Sequence, residues 1–298
     1  MLLCIDIGGT AVKLALVDQG GRILARSEQP IGSYEIPLQE TALTAAADFL
    51  ICEDAEVKGI AVSATGQVDS REGVVIGTNG KIPGYEGARL RDLFEARFML
   101  RTVVLNDANA AALGEYTCGA GRGADPVLMV TLGTGVGSGI VLGGSLFLGM
   151  RGIAGELGQF PMFTDRSAER HGWYEEYAST SALVRLAESE TGETGLNGRE
   201  IFARAERGDS VMLAAIDCWI DDIALGLIGF THIFNPQRIL IGGGVSSQET
   251  LLMEPLRKRV LSGVLPRFAE GLSIERAILG NDAGLLGAAR FWTESFGG

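Results

Sequence analysis

IDIGGTAVKLALVDQGGRIL, residues 5–24, reads as an apolar strand, a Gly/Thr-rich turn, a second strand, a Gly-Gly turn and a third strand. Residues 130–147, VTLGTGVGSGIVLGGSLF, repeat the same plan. Gly8 falls on Gly133, and Gly20-Gly21 falls near Gly143-Gly144. An element written twice implies two related lobes. Strands alternating with helices after each triple-strand opening predict α/β lobes with mixed sheets.

Glycine allows close backbone approach to a ligand, and successive N–H groups in such a turn form an anion-binding concavity. Thr10 and Thr134 add hydroxyls. Asp6 ends the first strand, and a carboxylate beside a phosphate site suits Mg²⁺, which takes carboxylate, water and phosphate oxygens. Lys13 either meets a phosphate or points to solvent. Two β-hairpins with structural glycines are the plainer alternative. The pair in register favours phosphate binding. Neither turn fits GxxxxGK[ST], nor GxGxxG before a helix, because here a strand follows the turn.

A chain of 298 residues suits two domains, and 46% hydrophobic residues is ordinary for a globular protein. A net charge of −12 argues against nucleic acid as a partner. It does not oppose a nucleotide held by backbone amides and Mg²⁺. Cys4, Cys52, Cys118 and Cys218 are scattered, with no CxxC and no Cys/His cluster, so no zinc site is legible. Cys4 and Cys218 are expected in the core. No signal peptide precedes the first strand and no run reaches membrane-span length, so a cytoplasmic protein is expected.

Helices are expected at about 38–51, 88–97, 175–188, 198–206, 209–233, 247–261 and 282–295, with strands at 57–63 and 102–105 and, at 238–246, a strand ending in a third Gly-rich turn. Residues 64–87 and 149–172 show no clear element. Asp107 ends one strand and opens an Ala-rich helix, so it is either the helix cap or a residue that deprotonates a hydroxyl. With Asn106 as the cap, both roles coexist. Glu156 sits among small residues in AGELGQ, as a ligand contact would. Glu175 and Glu176 are either ligand groups or favourable first-turn charge. His171 and His232 are isolated, which leaves hydrolase triads without support.

The chain resembles the ROK family of bacterial sugar kinases and repressors, within the hexokinase–actin-like ATPase group. The resemblance spans DIGGTAVK (6–13), ATGQVDSREG (64–73), LNDANAAALGE (105–115), TLGTGVGSGIVLGG (131–144), GMRGIAGELG (149–158), FNPQRILIGGGVS (234–246) and NDAGLLGAA (281–289). It implies two RNase H-like lobes around a central cleft, at 1–116 and 117–283, with a C-terminal helix at about 284–298 packing back on the first. It implies phosphorylation of a sugar hydroxyl by ATP and Mg²⁺. Asp6, Gly8, Gly9, Thr10 and Lys13 match one phosphate motif, with Asp6 supporting Mg²⁺. Gly133, Thr134 and Gly135 match the other, and Gly242, Gly243 and Gly244 match the adenosine-side turn. Gly66, Asn106, Glu156 and Glu175 match sugar contacts, and Asp107 matches the catalytic base.

There are two departures. Many members carry His after AGExG and a CxCGxxGC segment, which together bind zinc. Here Gln159 holds the His position and 160–174 lack cysteine, so no zinc is expected, and Phe160, Phe163, Trp173 and Tyr174 are expected to pack that loop. Gln159 also leaves the sugar open among a glucose-type hexose, N-acetylmannosamine and a β-glucoside. The second departure is Lys81, where Asn is common; Asn79 lies two residues earlier. The repressors' helix-turn-helix precedes DIGGT, which here starts at residue 6, so a kinase is expected. A homodimer is implied as well. The alternatives are a catalytically silent sugar-binding regulator and an actin-like ATPase with a protein partner.

Overall fold

Leu3, Ile5 and Ile7 alternate with Cys4 and Asp6 along the first strand, β1 (Leu2–Ile7), and both faces are covered. A strand buried on two faces belongs at the middle of a sheet. In the computed structural model, which describes residues 1–78, 80, 82–162 and 172–297, β1 is the central strand of five. Asn79, Lys81, Phe163 and His171 lie outside the described residues.

The chain divides into two compact units. The first holds Met1–Arg122, Ser145–Gly155 and the C-terminal stretch from Asn281; the second holds Gly123–Gly144 and Glu156–Gly280. In the first unit β1, β2 (Ala11–Val17) and β3 (Ile23–Pro30) are antiparallel, while β4 (Ile60–Ala64) and β7 (Thr102–Asn106) join in parallel, in the order β3-β2-β1-β4-β7. Residues 64–87, expected to be irregular, contain a small hairpin, β5 (Gln67–Asp69) with β6 (Val74–Gly77).

One face of this sheet carries Leu3, Ile5, Ile7 and Val62. They pack in one core with Leu38, Ala42, Ala46 and Phe49 of helix α1 (Leu38–Glu53) and Leu90 and Phe94 of α2 (Leu90–Phe98). The C-terminal helix α10 (Asp282–Phe296) packs against β4 and against α3 (Asp107–Cys118). Small residues permit the approach. A Cβ on Gly287 would stand 1.7 Å from the Ala110 carbonyl oxygen, and one on Gly114 would stand 2.1 Å from that of Ala283.

The second sheet repeats the first. Its order is β10-β9-β8-β13-β14, with β8 (Val127–Leu132), β9 (Val136–Leu142) and β10 (Ser145–Leu146) leading and β13 (Arg238–Gly242) and β14 (Ser273–Arg276) parallel to β8. Strand for strand this is β3-β2-β1-β4-β7, so the duplication read in the sequence extends to topology. The turns differ by one residue: Ile7 pairs with Val12 across four residues, Leu132 with Val136 across three.

Helices α4 (Tyr174–Ala178), α5 (Thr180–Thr191), α6 (Gly198–Glu206) and α7 (Ser210–Phe234) supply the second unit's core, with Trp219, Phe202 and Phe230 inside it. The helix expected at 175–188 is thus two. The Ser179 side chain caps the second by accepting from Ala182 N–H. The helix expected at 247–261 opens as a 3₁₀ turn (Gly244–Ser247) and a π turn (Glu249–Met253) before α8 (Glu254–Gly263); α9 (Pro266–Ala269) follows. Residues 149–172 also hold structure, a 3₁₀ turn (Leu157–Gln159) and a strand pair, β11 (Pro161–Met162) with β12 (Gly172–Trp173). Cys4 is buried as expected. Cys218 is exposed, because α7 turns that position outward between buried Ile216 and Trp219. His232 is also exposed, its Nε2 accepting from Leu265 N–H at 3.1 Å. Among the described residues no helix is long and apolar enough to cross a membrane.

Candidate active site

The two Gly/Thr turns are exposed at sheet ends, and each is braced from afar. In the first, Gly8 N–H donates to the Ala11 carbonyl at 3.0 Å and the Tyr34 hydroxyl donates to that of Gly9 at 2.7 Å. In the second, Gly133 N–H donates to Gly135 at 3.0 Å. Thr180, first residue of α5, donates its N–H to the Gly133 carbonyl at 2.9 Å and its hydroxyl to that of Leu132 at 3.1 Å. Thr10 and Thr134 sit exposed at the two tips.

In the first unit Asp6 is gripped from two neighbouring strands. Ser63 Oγ donates to its Oδ1 at 2.7 Å, and Lys13 Nζ lies 3.5 Å from its Oδ2. Lys13 is thus held beside Asp6 and the first Gly/Thr turn, with Asn281 Oδ1 3.3 Å from its Nζ. Asn106, not Asp107, caps α3: its Oδ1 accepts from Asn109 N–H at 3.1 Å. Its Nδ2 donates to the Gly66 carbonyl at 2.9 Å and to Asp107 Oδ1 at 2.9 Å, and Asp107 Oδ1 also accepts from Ala108 N–H at 2.8 Å. Gly66, Asn106 and Asp107 thus form one connected group, with Gly66 at φ +91°. The Tyr85 hydroxyl is buried with no hydrogen-bond partner among the described residues. Burial raises its pKa first, then the charges of Asp107 and Asp6, so both carboxylates bear on one buried group.

In the second unit Glu175 lies against the second Gly/Thr turn. Its Oε2 accepts from Val136 N–H at 3.4 Å, and a Cβ on Gly135 would come within 2.6 Å of that oxygen. Its Oε1 accepts from Gln159 Nε2 at 2.8 Å. Glu156 has its pKa raised by desolvation first and then by the charge of Glu175. Glu156, Gln159 and Glu175 are therefore one cluster. Glu176 does what the plainer reading of the pair requires, its carboxylate accepting from Trp173 N–H at 2.9 Å at the start of α4. Phe160 packs edge-on against Phe230, as does Tyr174, whose hydroxyl donates to the Ile223 carbonyl.

Gly133, Thr134 and Gly244 line a single cavity of about 620 Å³. Gly242 lies within β13 beside Thr131, and Gly243, at φ +95°, leads into Gly244. A Cβ on Gly243 would stand 2.1 Å from the Leu132 carbonyl oxygen, so only glycine lets the third turn approach the second. Further lining comes from the first half of α5, Thr180, Ser181 and Arg185, and from Asn197, Gly198 and Arg199 at the start of α6. Sequence reading missed these residues, along with Ser63, Tyr34 and Tyr85. Ser63 alone had a signal, its place on a strand parallel to that of Asp6.

The residues fit Mg²⁺ held with a phosphate. Asp6 is a carboxylate beside a glycine turn, and Mg²⁺ bound with substrate phosphates uses one or two carboxylates rather than a protein cage. Among the described residues no group of three or more His, Cys, Asp or Glu is gathered.

Known proteins share this architecture. A β-glucoside kinase from Listeria monocytogenes is 36% identical, covering 95% of this chain and 94% of its own. A glucokinase from Halalkalibacterium halodurans is 31% identical, covering 95% and 92%. The crystal structure of a ROK family glucokinase from Streptomyces griseus, in complex with glucose and AMPPNP, superposes with a TM-score of 0.77 at 32% identity, covering 97% of this chain and 98% of that one. Residues 2–295 match the ROK family itself, and the chain belongs to that family.

Proposed function

We propose that the chain is an ATP-dependent sugar kinase, transferring the γ-phosphoryl group of ATP to a sugar hydroxyl. The acceptor is the 6-hydroxyl of a hexose, an N-acetylhexosamine or a β-glucoside. The observation that carries this is the Asn106-Asp107 pair: Asn106 fills the capping role, and its amide orients the Asp107 carboxylate at the end of β7. The Streptomyces griseus complex supports a sugar and an ATP analogue as ligands of this architecture.

Phosphoryl transfer asks little covalent chemistry of a protein; positioning and charge stabilisation dominate. The backbone amides of Gly8–Thr10 and Gly133–Gly135 cradle phosphates, and Lys13 adds a positive charge. The cavity beside Gly244 receives the nucleoside. Asp6 would hold Mg²⁺, which when bound would neutralise charge on the phosphate oxygens. Asn106 Oδ1 and the carboxylates of Glu156 and Glu175 accept hydrogen bonds from sugar hydroxyls. Asp107 takes the proton of the attacking hydroxyl as the new P–O bond forms.

The test is ADP release from Mg·ATP with glucose, N-acetylmannosamine, N-acetylglucosamine, fructose, allose and cellobiose offered singly. One or more is expected to stimulate release and to gain a phosphate. ATP binding with no sugar-stimulated turnover overturns the proposal in favour of a regulator or a protein-partnered ATPase.

A further inference from the structure

The stretch NDAGLLGAA (281–289) has no part in the reaction just described, yet it begins at the phosphate motif. Asn281 Oδ1 accepts from Lys13 Nζ at 3.3 Å, and the same nitrogen lies 3.5 Å from Asp6 Oδ2. The sheet puts the partners together: Asp6 stands opposite Lys13 on β2 and beside Ser63 on β4. Helix α10 then closes over them. A Cβ on Gly284 would stand 3.0 Å from Ser63 Oγ and 3.5 Å from Asp6 Oδ1. Asn281 lies 268 residues from Lys13 in the chain and still shares its ammonium.

A lysine is a point charge on a flexible four-carbon stem, costly to hold in one place. With Asp6 as its only anchor, the ammonium is drawn onto the carboxylate and away from a phosphate. A second anchor that is neutral holds it without cancelling its charge. We infer that Asn281 is a positioning residue of the nucleotide site: it holds the Lys13 ammonium out from Asp6, where it meets the polyphosphate of a nucleoside triphosphate. This rests on the reading of Lys13 as a phosphate contact. Asn281 is exposed and its side chain does not cap α10, so its removal leaves the helix intact.

The experiment is calorimetric binding of Mg·AMPPNP, without turnover, to the wild-type chain, Asn281→Ala, Lys13→Ala and the double variant. Thermal unfolding and sugar binding are measured alongside. Asn281→Ala is expected to weaken nucleotide binding about three- to tenfold, within the range for loss of one ordinary hydrogen bond. Sugar affinity and melting temperature stay at wild-type values. Lys13→Ala is expected to weaken binding at least as much, and the double variant no further, because Asn281 acts only through Lys13. Wild-type affinity in Asn281→Ala while Lys13→Ala binds weakly overturns the inference, as do additive losses in the double variant. Wild-type affinity in both single variants overturns the phosphate reading of Lys13 itself.

Discussion

Gln159 donates its side-chain amide to Glu175 Oε1 at 2.8 Å, while the other oxygen of that carboxylate accepts from Val136 N–H, just past the second Gly/Thr turn. The Glu175 side chain thus touches both the proposed sugar cluster and the turn proposed to hold phosphate. Gln159 stands where many family members carry His, and an amide makes this contact without titrating near neutral pH. Gln159→Ala is expected to raise KM for the sugar about tenfold, the lower range for a hydrogen bond to a charge at an exposed site, with kcat little changed. Steady-state kinetics of the two proteins checks it; an unaltered KM contradicts the positioning role.

Glu156 has a raised pKa, from desolvation and then from Glu175. The ionised form accepts hydrogen bonds from sugar hydroxyls, so sugar KM is expected to rise as pH falls, beginning above the ordinary carboxylate range. Glu175→Gln removes the neighbouring charge and shifts that rise to lower pH. A pH series of KM for both proteins gives the two midpoints. Equal midpoints would mean the carboxylates do not interact. The same raised pKa favours the protonated form in the folded chain, a contribution present at low pH and lost as pH rises. Glu156→Gln is therefore expected to raise the melting temperature at neutral pH while it weakens sugar binding.

Away from the site, burial and then the charge of Asp221 push Asp222 up to about 6. Its folded pKa exceeds its unfolded one, so its favourable contribution holds at pH 4 and is lost as pH passes 6, leaving a cost at pH 7.5. Asp222→Asn is expected to stabilise the fold at pH 7.5 by on the order of 1 kcal/mol after solvent screening is allowed for, and much less at pH 4. Denaturant melts at the two pH values decide this; an equal gain at both would refute it.

Helix α10 meets α3 through glycines. Gly287→Ala drives a methyl to 1.7 Å from the Ala110 carbonyl oxygen and is expected to cost at least 1–3 kcal/mol, about the usual range for an overpacked contact. Gly229, within α7 with open space around its Cβ position, is the control: Gly229→Ala is expected to stabilise by roughly 0.5–1 kcal/mol. Opposite signs in urea unfolding are the predicted outcome, and equal small effects would deny the close packing.

Much of this was legible in the chain because the duplicated hairpins combine three strong signals: apolar strands, glycine turns and register. That pair set the two sheets, and their common order follows from it. Strands of two to four residues escaped, β5, β6, β11, β12 and β14 among them, because so few residues carry no periodicity. Cys218 was misjudged for a related reason: its neighbours are apolar, but the helix turns it away from them. The cavity's Arg185, Asn197 and Arg199 come from helices about 50 to 65 residues beyond the turn they face, and composition has no record of such proximity. The carboxylates and the Asn106 cap were readable as residues. What the structure adds is the division of labour, Asn106 capping, Glu176 serving the helix start and Glu175 the cluster.

The central claim is that Asp107 takes the hydroxyl proton during transfer from ATP. Its most direct test is kcat of Asp107→Asn on the sugar that best stimulates the wild-type chain, with sugar affinity measured calorimetrically on the same samples. The account predicts a fall in kcat of about 10²–10⁴, the range for loss of a general base, with sugar affinity within a few-fold of wild type. Near-normal turnover in Asp107→Asn would contradict it.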